Sequence, residues 1–195
     1  MYKEIETLVE VLGDAEELER YLRTHFTFDE EVNFIDTYYY DPLRPELQDN
    51  ERAGAKGSLR IRNRNGQKVL ITHKIDQYDE QGLWLYSDEI EFEIGDELKA
   101  QELFKALGLK KHTSLYINTL FFIASDFEIA LQRVKDLGIY LEVEYKKSDG
   151  ISSDGDIRNV KKEIQKFIDL LPIKTSPEIN AGKLKLALDK AKKKL

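Results

Sequence analysis

The chain has 195 residues, of which 41% are hydrophobic and 34% charged, with a formal net charge of −7; this suffices for one domain with a buried core. The absence of cysteine excludes disulfides, thiolate metal sites and cysteine nucleophiles, and the acidic excess argues against nucleic-acid binding, which needs a concentrated basic surface. Because no run of about 18 apolar residues and no secretory leader is visible, we expect a cytoplasmic protein without a membrane span.

The first part of the chain predicts a strand, a helix and a second strand. Residues 3–11 alternate between charged and apolar side chains, which is typical of a strand. Asp14 is a candidate N-cap for a helix over 15–24. Aromatic and β-branched residues predict a strand over 34–40, followed by a long polar loop over 41–57 of the kind that is often functional or mobile.

The strongest local signal is a β-hairpin. The segments 58–64 and 67–75 are rich in alternating apolar residues, and Asn65-Gly66 between them is a preferred pair for a tight hairpin turn. The sequence therefore predicts two antiparallel strands here.

The second half predicts further strands and a few helices. A helix over 97–107 ends at Gly108, where a helix C-terminal glycine belongs. The other predicted elements are strands over 83–94, 113–123, 126–134 and 139–145, and helices over 156–170 and from about Lys183. This order favours an α+β fold around a large antiparallel sheet or barrel.

A basic tail follows the acidic body of the chain. Seven lysines lie between Lys174 and Lys194, against two acidic residues. We therefore divide the chain into a domain over 1–172 and a basic C-terminal helix or tail over 173–195. A solvated terminal helix is the simplest interpretation of this tail, although Lys183 or Lys185 could also fold back over the rest of the protein.

Four predicted strands have one apolar face and one charged face, because side chains alternate across a strand. The charged faces carry Glu4, Glu6 and Glu10; Arg60, Arg62 and Arg64; Glu89, Glu91 and Glu93; and Glu142 and Glu144. A one-sided sheet with a solvated face explains this alternation. A closed barrel with a charged, wet interior explains it too, the carboxylates holding divalent cations and the basic groups holding phosphates.

Six segments resemble, in the same order, the motifs of the CYTH superfamily of triphosphate tunnel proteins, which includes class IV adenylate cyclases, thiamine triphosphatases and inorganic triphosphatases. The resemblance covers roughly residues 2–170. The segments are E-I-E at 4–6, D-T-Y-Y-Y at 36–40, L-R-I-R at 59–62, L-I-T-H-K at 70–74, E-I-E-F-E-I at 89–94 and L-G-I-Y-L-E-V-E at 137–144.

The resemblance implies an eight-stranded antiparallel β-barrel of the triphosphate-tunnel type with flanking helices. It also implies Mg²⁺ or Mn²⁺ as cofactor, a small-molecule triphosphate or related anion as ligand, and a homodimer as one expected assembly. The implied metal-binding residues are Glu4, Glu6, Glu89, Glu91, Glu142 and Glu144. Arg60, Arg62 and Lys74 are implied to bind phosphate, and Glu4, Glu6 and Lys74 to be catalytic.

The chain departs from the family pattern mainly at positions where the family has lysine or arginine. Leu8 replaces the lysine of the first motif, and Ser87 replaces an arginine. In an ungapped alignment Ile117 and Thr119 replace a lysine and an arginine, and Gln132 replaces an aspartate. Three functions therefore stay open: a metal-dependent phosphohydrolase (or, less favoured, a cyclase), a tunnel module that binds an anion without turnover, and an interaction protein that uses its basic tail.

Overall fold

The computed structural model describes residues 2–44, 47, 57–148, 151 and 153–193. Within these ranges the chain forms nine strands and four helices. The strands are β1 (Tyr2–Glu4), β2 (Glu6–Glu10), β3 (Thr27–Tyr40), β4 (Gly57–Arg64), β5 (Lys68–Tyr78), β6 (Trp84–Ile94), β7 (Lys110–Ala124), β8 (Phe127–Val134) and β9 (Gly138–Tyr145). The helices are α1 (Ala15–His25), α2 (Glu97–Ala106), α3 (Asp154–Asp169) and α4 (Lys183–Lys192).

The strands form one antiparallel sheet that curls into a nearly closed barrel. Its order is β1-β6-β5-β4-β3-β7-β8-β9-β2. The two edge strands β1 and β2 are halves of one N-terminal segment interrupted at Ile5, and they pair with β6 and β9 respectively. The predicted α+β antiparallel barrel is confirmed, and the count of nine strands instead of eight comes from this interruption.

Several local predictions are confirmed. The Asp14 side chain accepts hydrogen bonds from the backbone N–H groups of Glu16 and Glu17 at the start of α1. Asn65 and Gly66 both have positive φ, 53° and 71°, as a tight hairpin turn of this type requires. Gly108, at φ 86°, follows α2 in the left-handed conformation that favours glycine.

Strand β3 begins at Thr27, seven residues before the predicted start at Phe34. Residues 27–33 are mostly polar and exposed, so their side chains give no apolar pattern. Backbone pairing with β7 continues through this segment, from Thr27 opposite Ile123 onward. The length of β3 is therefore set by its partner strand.

Helices cover the outer apolar face of the barrel. Leu18 and Leu22 of α1 and Ile157 and Ile164 of α3 belong to one buried cluster with outward-facing strand residues such as Phe122. Helix α2 contributes Ala100 and Phe104 to a second cluster, on the outer side of β3, β4 and β5. Because the outer face holds these apolar contacts, the charged face of each strand points into the barrel.

The segment after α3 runs along β2 and then enters α4. The Leu12 N–H donates to the Lys174 carbonyl at 2.9 Å, and the Ile179 N–H donates to the Leu8 carbonyl at 2.8 Å. Lys183, the first residue of α4, is only 9% exposed. The interpretation of a fully solvated terminal helix is therefore wrong for the first turn of α4.

Most of the predicted loop over 41–57 lies outside the described residues. None of the described helices is both long and apolar enough to span a lipid bilayer.

Candidate functional site

All nine residues that the sequence predicts for the site line one cavity inside the barrel, with a volume of about 870 Å³. They converge because strand pairing aligns their inward faces: Lys74 lies opposite Glu89 between β5 and β6, and Glu6 lies opposite Glu144 between β2 and β9. A second cavity of about 950 Å³ is a more open groove around residues 133–139 and contains none of these nine residues.

Six carboxylates line the cavity, and we call them the acidic wall: Glu4, Glu6, Glu89, Glu91, Glu142 and Glu144. Lys74 lies among them. Its Nζ atom contacts the Glu4 carboxylate, lies 3.1 Å from Glu89 and lies 3.9 Å from Glu6. Burial would lower the pKa of Lys74, but Glu4, Glu6 and Glu89 outweigh burial and raise it well above its ordinary value. The lysine is therefore held firmly in its charged form.

Lys74 compensates only part of the negative charge of the acidic wall. Burial raises the pKa of Glu4, and Lys74 offsets only part of this rise. The pKa of Glu6 is raised well above its ordinary value by burial and then by the nearby charges of Glu142 and Glu4. A cation bound among these carboxylates would relieve their mutual repulsion.

The C-terminal helix supplies a further cation to the cavity. The buried Nζ atom of Lys183 contacts the Glu142 carboxylate. Burial would raise the pKa of Glu142, but Lys183 and then Lys74 lower it to about 2. The predicted fold-back is confirmed for Lys183, and Lys185 also lines the cavity; the sequence signal for both was only the excess of lysine in the tail.

Asp36 holds Arg60 and Arg62 in place; with Lys74, these two arginines form what we call the basic side of the cavity. Arg62 donates two hydrogen bonds of 2.7 Å to the fully buried Asp36 carboxylate, and Arg60 donates one of 3.2 Å. Burial would raise the pKa of Asp36, but Arg62 and Arg60 lower it to about 2. In the sequence, Asp36 stood out only as part of the D-T-Y-Y-Y motif. Its contact with Arg62 depends on the pairing of β3 with β4, which the sequence of β3 does not indicate.

Arg60 keeps one buried donor unused by the described part of the protein. Its Nε–H has no hydrogen-bond partner among the described residues, although the residue is only 8% exposed. A buried guanidinium donor without a partner is costly, so this atom is suited to bind an oxyanion in the cavity.

The remaining two predicted carboxylates have other partners. Glu91 accepts a hydrogen bond of 2.7 Å from Thr72. Glu144 accepts one from the Tyr2 hydroxyl and one from Lys146, each at 3.1 Å. Burial, with a contribution from the charge of Glu4, raises the pKa of Glu144 to about 7.

All five substituted residues are buried, and Gln132 lines the cavity. Leu8 and Ile117 are 1% and 2% exposed, and they belong to a cluster that also includes Leu184 of α4. Ser87 donates a hydrogen bond of 2.8 Å to Asp76. Thr119 and Gln132 lie opposite each other on β7 and β8. At the four positions where the resemblance led us to expect cations, the barrel therefore contains apolar or uncharged side chains, and at Gln132 an amide replaces the expected aspartate.

A family model described as the CYTH domain matches residues 3–168. The chain belongs to the CYTH domain family. This family includes triphosphatases and adenylate cyclases, and its tunnel enzymes generally depend on divalent metals.

Relatives of this CYTH chain agree with the assignment. A protein of Methanocaldococcus jannaschii, provisionally named an adenylate cyclase, is 25% identical over 168 residues, which are 86% of this chain and 87% of the relative. The structure of the Pyrococcus horikoshii protein PH1819 has a TM-score of 0.76 and 25% identity, covering 95% and 99% of the two chains. HpAC1 of Hippeastrum, a provisionally named adenylyl cyclase with a dominant triphosphatase activity, shares the fold at a TM-score of 0.65 and 15% identity, with 96% of each chain covered.

The donors of the acidic wall suit the metal ions of CYTH enzymes in type, because Mg²⁺ and Mn²⁺ prefer carboxylate oxygens. Burial and then the nearby charges of Glu142 and Glu4 raise the pKa of Glu6, and the repulsion among these three carboxylates favours a bound cation. Among the described residues, however, no three acidic or histidine side chains converge as a ready set of ligands. Lys74 is instead paired with Glu4, and Lys183 with Glu142. A metal ion can therefore bind these carboxylates only if each lysine shares its carboxylate with the metal or moves away from it.

Proposed function

We propose that the cavity binds a triphosphate together with Mg²⁺ or Mn²⁺ and hydrolyses it. The observation that carries this proposal is the convergence of an arginine pair and a buried lysine with a wall of carboxylates in one cavity. Such a combination suits phosphoryl transfer, in which positioning and charge neutralisation supply most of the catalysis.

The basic side would hold the phosphate chain. Asp36 fixes the Arg60 and Arg62 guanidinium groups in place, so little side-chain entropy is lost when they bind an oxyanion. The unused Nε–H of Arg60 supplies one donor. Lys74, with three donors, can bind a phosphate oxygen while it keeps contacts to the acidic wall.

The acidic side would hold the metal. Glu4, Glu6 and Glu142 are the main candidate ligands. Glu89, Glu91 and Glu144 line the same cavity and could assist them. When bound, a divalent cation supplies Lewis-acid polarisation of phosphate oxygens and activation of water. Glu4 and Glu6 would orient the reacting groups on this side, and Lys74 would neutralise charge that develops on the phosphates.

A tunnel module that binds an anion without turnover is the second candidate. It is favoured by the lysine pairing of Glu4 and Glu142 and by the apolar surroundings of Leu8. In that case the lysines would stay on the carboxylates, and the arginine pair alone would bind the ligand.

Phosphate release from tripolyphosphate, thiamine triphosphate and nucleoside triphosphates, measured with Mg²⁺ and with Mn²⁺, tests the proposal. We expect turnover that needs the metal and that falls about 10- to 100-fold in kcat/KM in Arg60→Gln, because a charge-assisted contact contributes roughly 1.5–3 kcal/mol. Arg158→Gln, on an exposed arginine of α3, is the matched control and should leave kcat/KM unchanged.

Calorimetric titration with the same compounds separates the two candidates. Binding without phosphate release under either metal supports the binding module. If no compound binds or reacts, both candidates are wrong.

A further inference from the structure

Strand β6 has one edge that is only partly paired. On one side, β6 pairs with β5 as far as Ile94, which lies opposite Val69. On the other side, β1 pairs only with residues 87–89 of β6. No described residue pairs with residues 90–94 on this side, and we call this edge of residues 90–94 the open edge. Its backbone N–H and C=O groups that point away from β5 are therefore available to an added strand.

The side chains of the open edge are uncovered on both faces of the sheet. Ile90 and Phe92 face outward and are 47% and 52% exposed. Glu91 and Glu93 alternate with them on the inward face and are exposed as well. Lys68 of β5 lies 3.4 Å from Glu93, whose side chain is still 61% exposed. An added strand can therefore reach the backbone and both rows of side chains.

The open edge lacks most of the features that block the addition of a strand. It contains neither proline nor lysine, and its register with β5 runs without a bulge from Tyr86 to Ile94. Its glutamates discourage uncontrolled association, but the exposed Ile90 and Phe92 add apolar surface beside them. A regular strand with an unpaired backbone and apolar side chains is suited to bind a peptide by β-augmentation.

The two glutamates decide which occupant fits. If two copies of the open edge paired antiparallel with Phe92 opposite Phe92, Glu91 of each copy would face Glu93 of the other. A shift by two residues keeps glutamate opposite glutamate, and a shift by one places glutamate opposite isoleucine or phenylalanine. Like charges directly opposite each other destabilise a strand pair. The charges therefore disfavour a second copy and favour a basic occupant.

We propose that the open edge docks an extended segment of a partner protein in which lysine or arginine alternates with apolar residues. The segment adds one strand to the sheet through backbone hydrogen bonds. Its basic side chains face Glu91 and Glu93, and its apolar side chains pack on Ile90 and Phe92. This inference concerns a protein-binding surface and does not depend on whether the cavity hydrolyses a triphosphate.

Fluorescence anisotropy with labelled synthetic peptides tests the charge and the alternation. The probe is V-K-V-K-V, and the comparison peptides are V-E-V-E-V and the permuted K-K-V-V-V. We expect the probe to bind at least about tenfold tighter than either one, because only the probe places two opposite-charge pairs across the strands. No binding of the probe, or equal binding of the permuted peptide, overturns the proposal.

Phe92→Lys tests the location, since it adds a charge to the open edge that repels the probe. It should weaken probe binding at least about tenfold. Ile35→Lys is the matched control: Ile35 is 40% exposed on β3, and that strand pairs with β4 and β7 at this position. Both variants change the net charge equally, so a general attraction between the acidic protein and the peptide would weaken equally in both. Equal weakening overturns the proposal.

Amide hydrogen exchange of the wild type gives a readout that does not depend on the folding of any variant. The probe should slow exchange of alternate amides within 90–94, because an added strand bonds to every second residue. Binding that leaves exchange in this segment unchanged overturns the proposal. Sedimentation tests the competing occupant: a wild-type dimer that Phe92→Lys dissociates would place a second copy at the open edge and would also overturn it.

Discussion

The contact between Lys183 and Glu142 offers the sharpest test of how α4 takes part in the cavity. Lys183→Met keeps most of the apolar stem of the side chain and removes its charge. The pKa of Glu142 falls from 4.5 to about 2 in the folded protein, which corresponds to about 3 kcal/mol of stabilisation at neutral pH. Lys74 shares this effect, so we assign about 2 kcal/mol to Lys183.

The pH dependence has a definite sign. A carboxylate with a lowered pKa stabilises the folded state above its unfolded pKa of about 4.5, and this contribution is lost as the pH falls towards the folded value of about 2. The difference in unfolding free energy between wild type and Lys183→Met should thus reach its maximum of about 2 kcal/mol at pH 7 and be nearly absent at pH 2. Manganese should restore more stability to the variant than to the wild type, because Glu142 no longer has a competing lysine.

Urea denaturation at several pH values, with and without Mn²⁺, measures these differences. Lys185→Met, two residues along α4 and 55% exposed, is the matched control and should change stability by less than about 0.5 kcal/mol. If Lys183→Met is no more destabilising than this control, or if its effect is the same at pH 7 and pH 2, the account of the ion pair is wrong.

Three further predictions concern other parts of the cavity. Asp36→Asn should lower the free energy of unfolding by about 3 kcal/mol in urea at pH 7, because it leaves two buried guanidinium groups unpaired; a loss as small as that of Asp29→Asn, on an exposed residue of the same strand, would contradict this. Carbon-detected NMR should give Glu144 a pKa of about 7 that falls in Glu4→Gln, since the Glu4 charge contributes to the rise; a pKa near 4.5 in the wild type would show that the side chain is solvated. Truncation of residues 174–195 should speed amide exchange along β2 and favour aggregation, because it exposes the edge of that strand; unchanged exchange and a monomeric, soluble product would argue against this role.

The fold could largely be predicted because local signals and family motifs agree. The Asn65-Gly66 turn requires positive φ at both positions, and the sequence there offers residues that tolerate it. The interruption at Ile5 could not be predicted, because alternation of charged and apolar residues continues through it. Only the closure of the barrel, with β6 on one side and β9 on the other, reveals two strands in place of one.

The residues of the candidate site could be predicted as a set that shares one cavity, but their contacts with each other could not. Alternation places Glu4, Glu6 and Lys74 on inward faces, and strand order brings these faces together. The partner of Glu142 lies 41 residues away on α4, and nothing local to either residue indicates the contact. Thr119 and Gln132 stood out in the sequence only as substitutions, and whether their buried polar atoms find a hydrogen-bond partner among the described residues depends on the packing around them.

The most direct test of the central claim is a crystal structure grown with Mn²⁺ and a non-hydrolysable triphosphate analogue, with anomalous data collected near the manganese edge. We expect an anomalous peak inside the barrel against the wall of Glu4, Glu6 and Glu142, with the phosphate chain bound to Arg60 and Lys74. A barrel cavity that contains neither manganese nor phosphate under these conditions, or a phosphate chain bound outside it, would contradict the account.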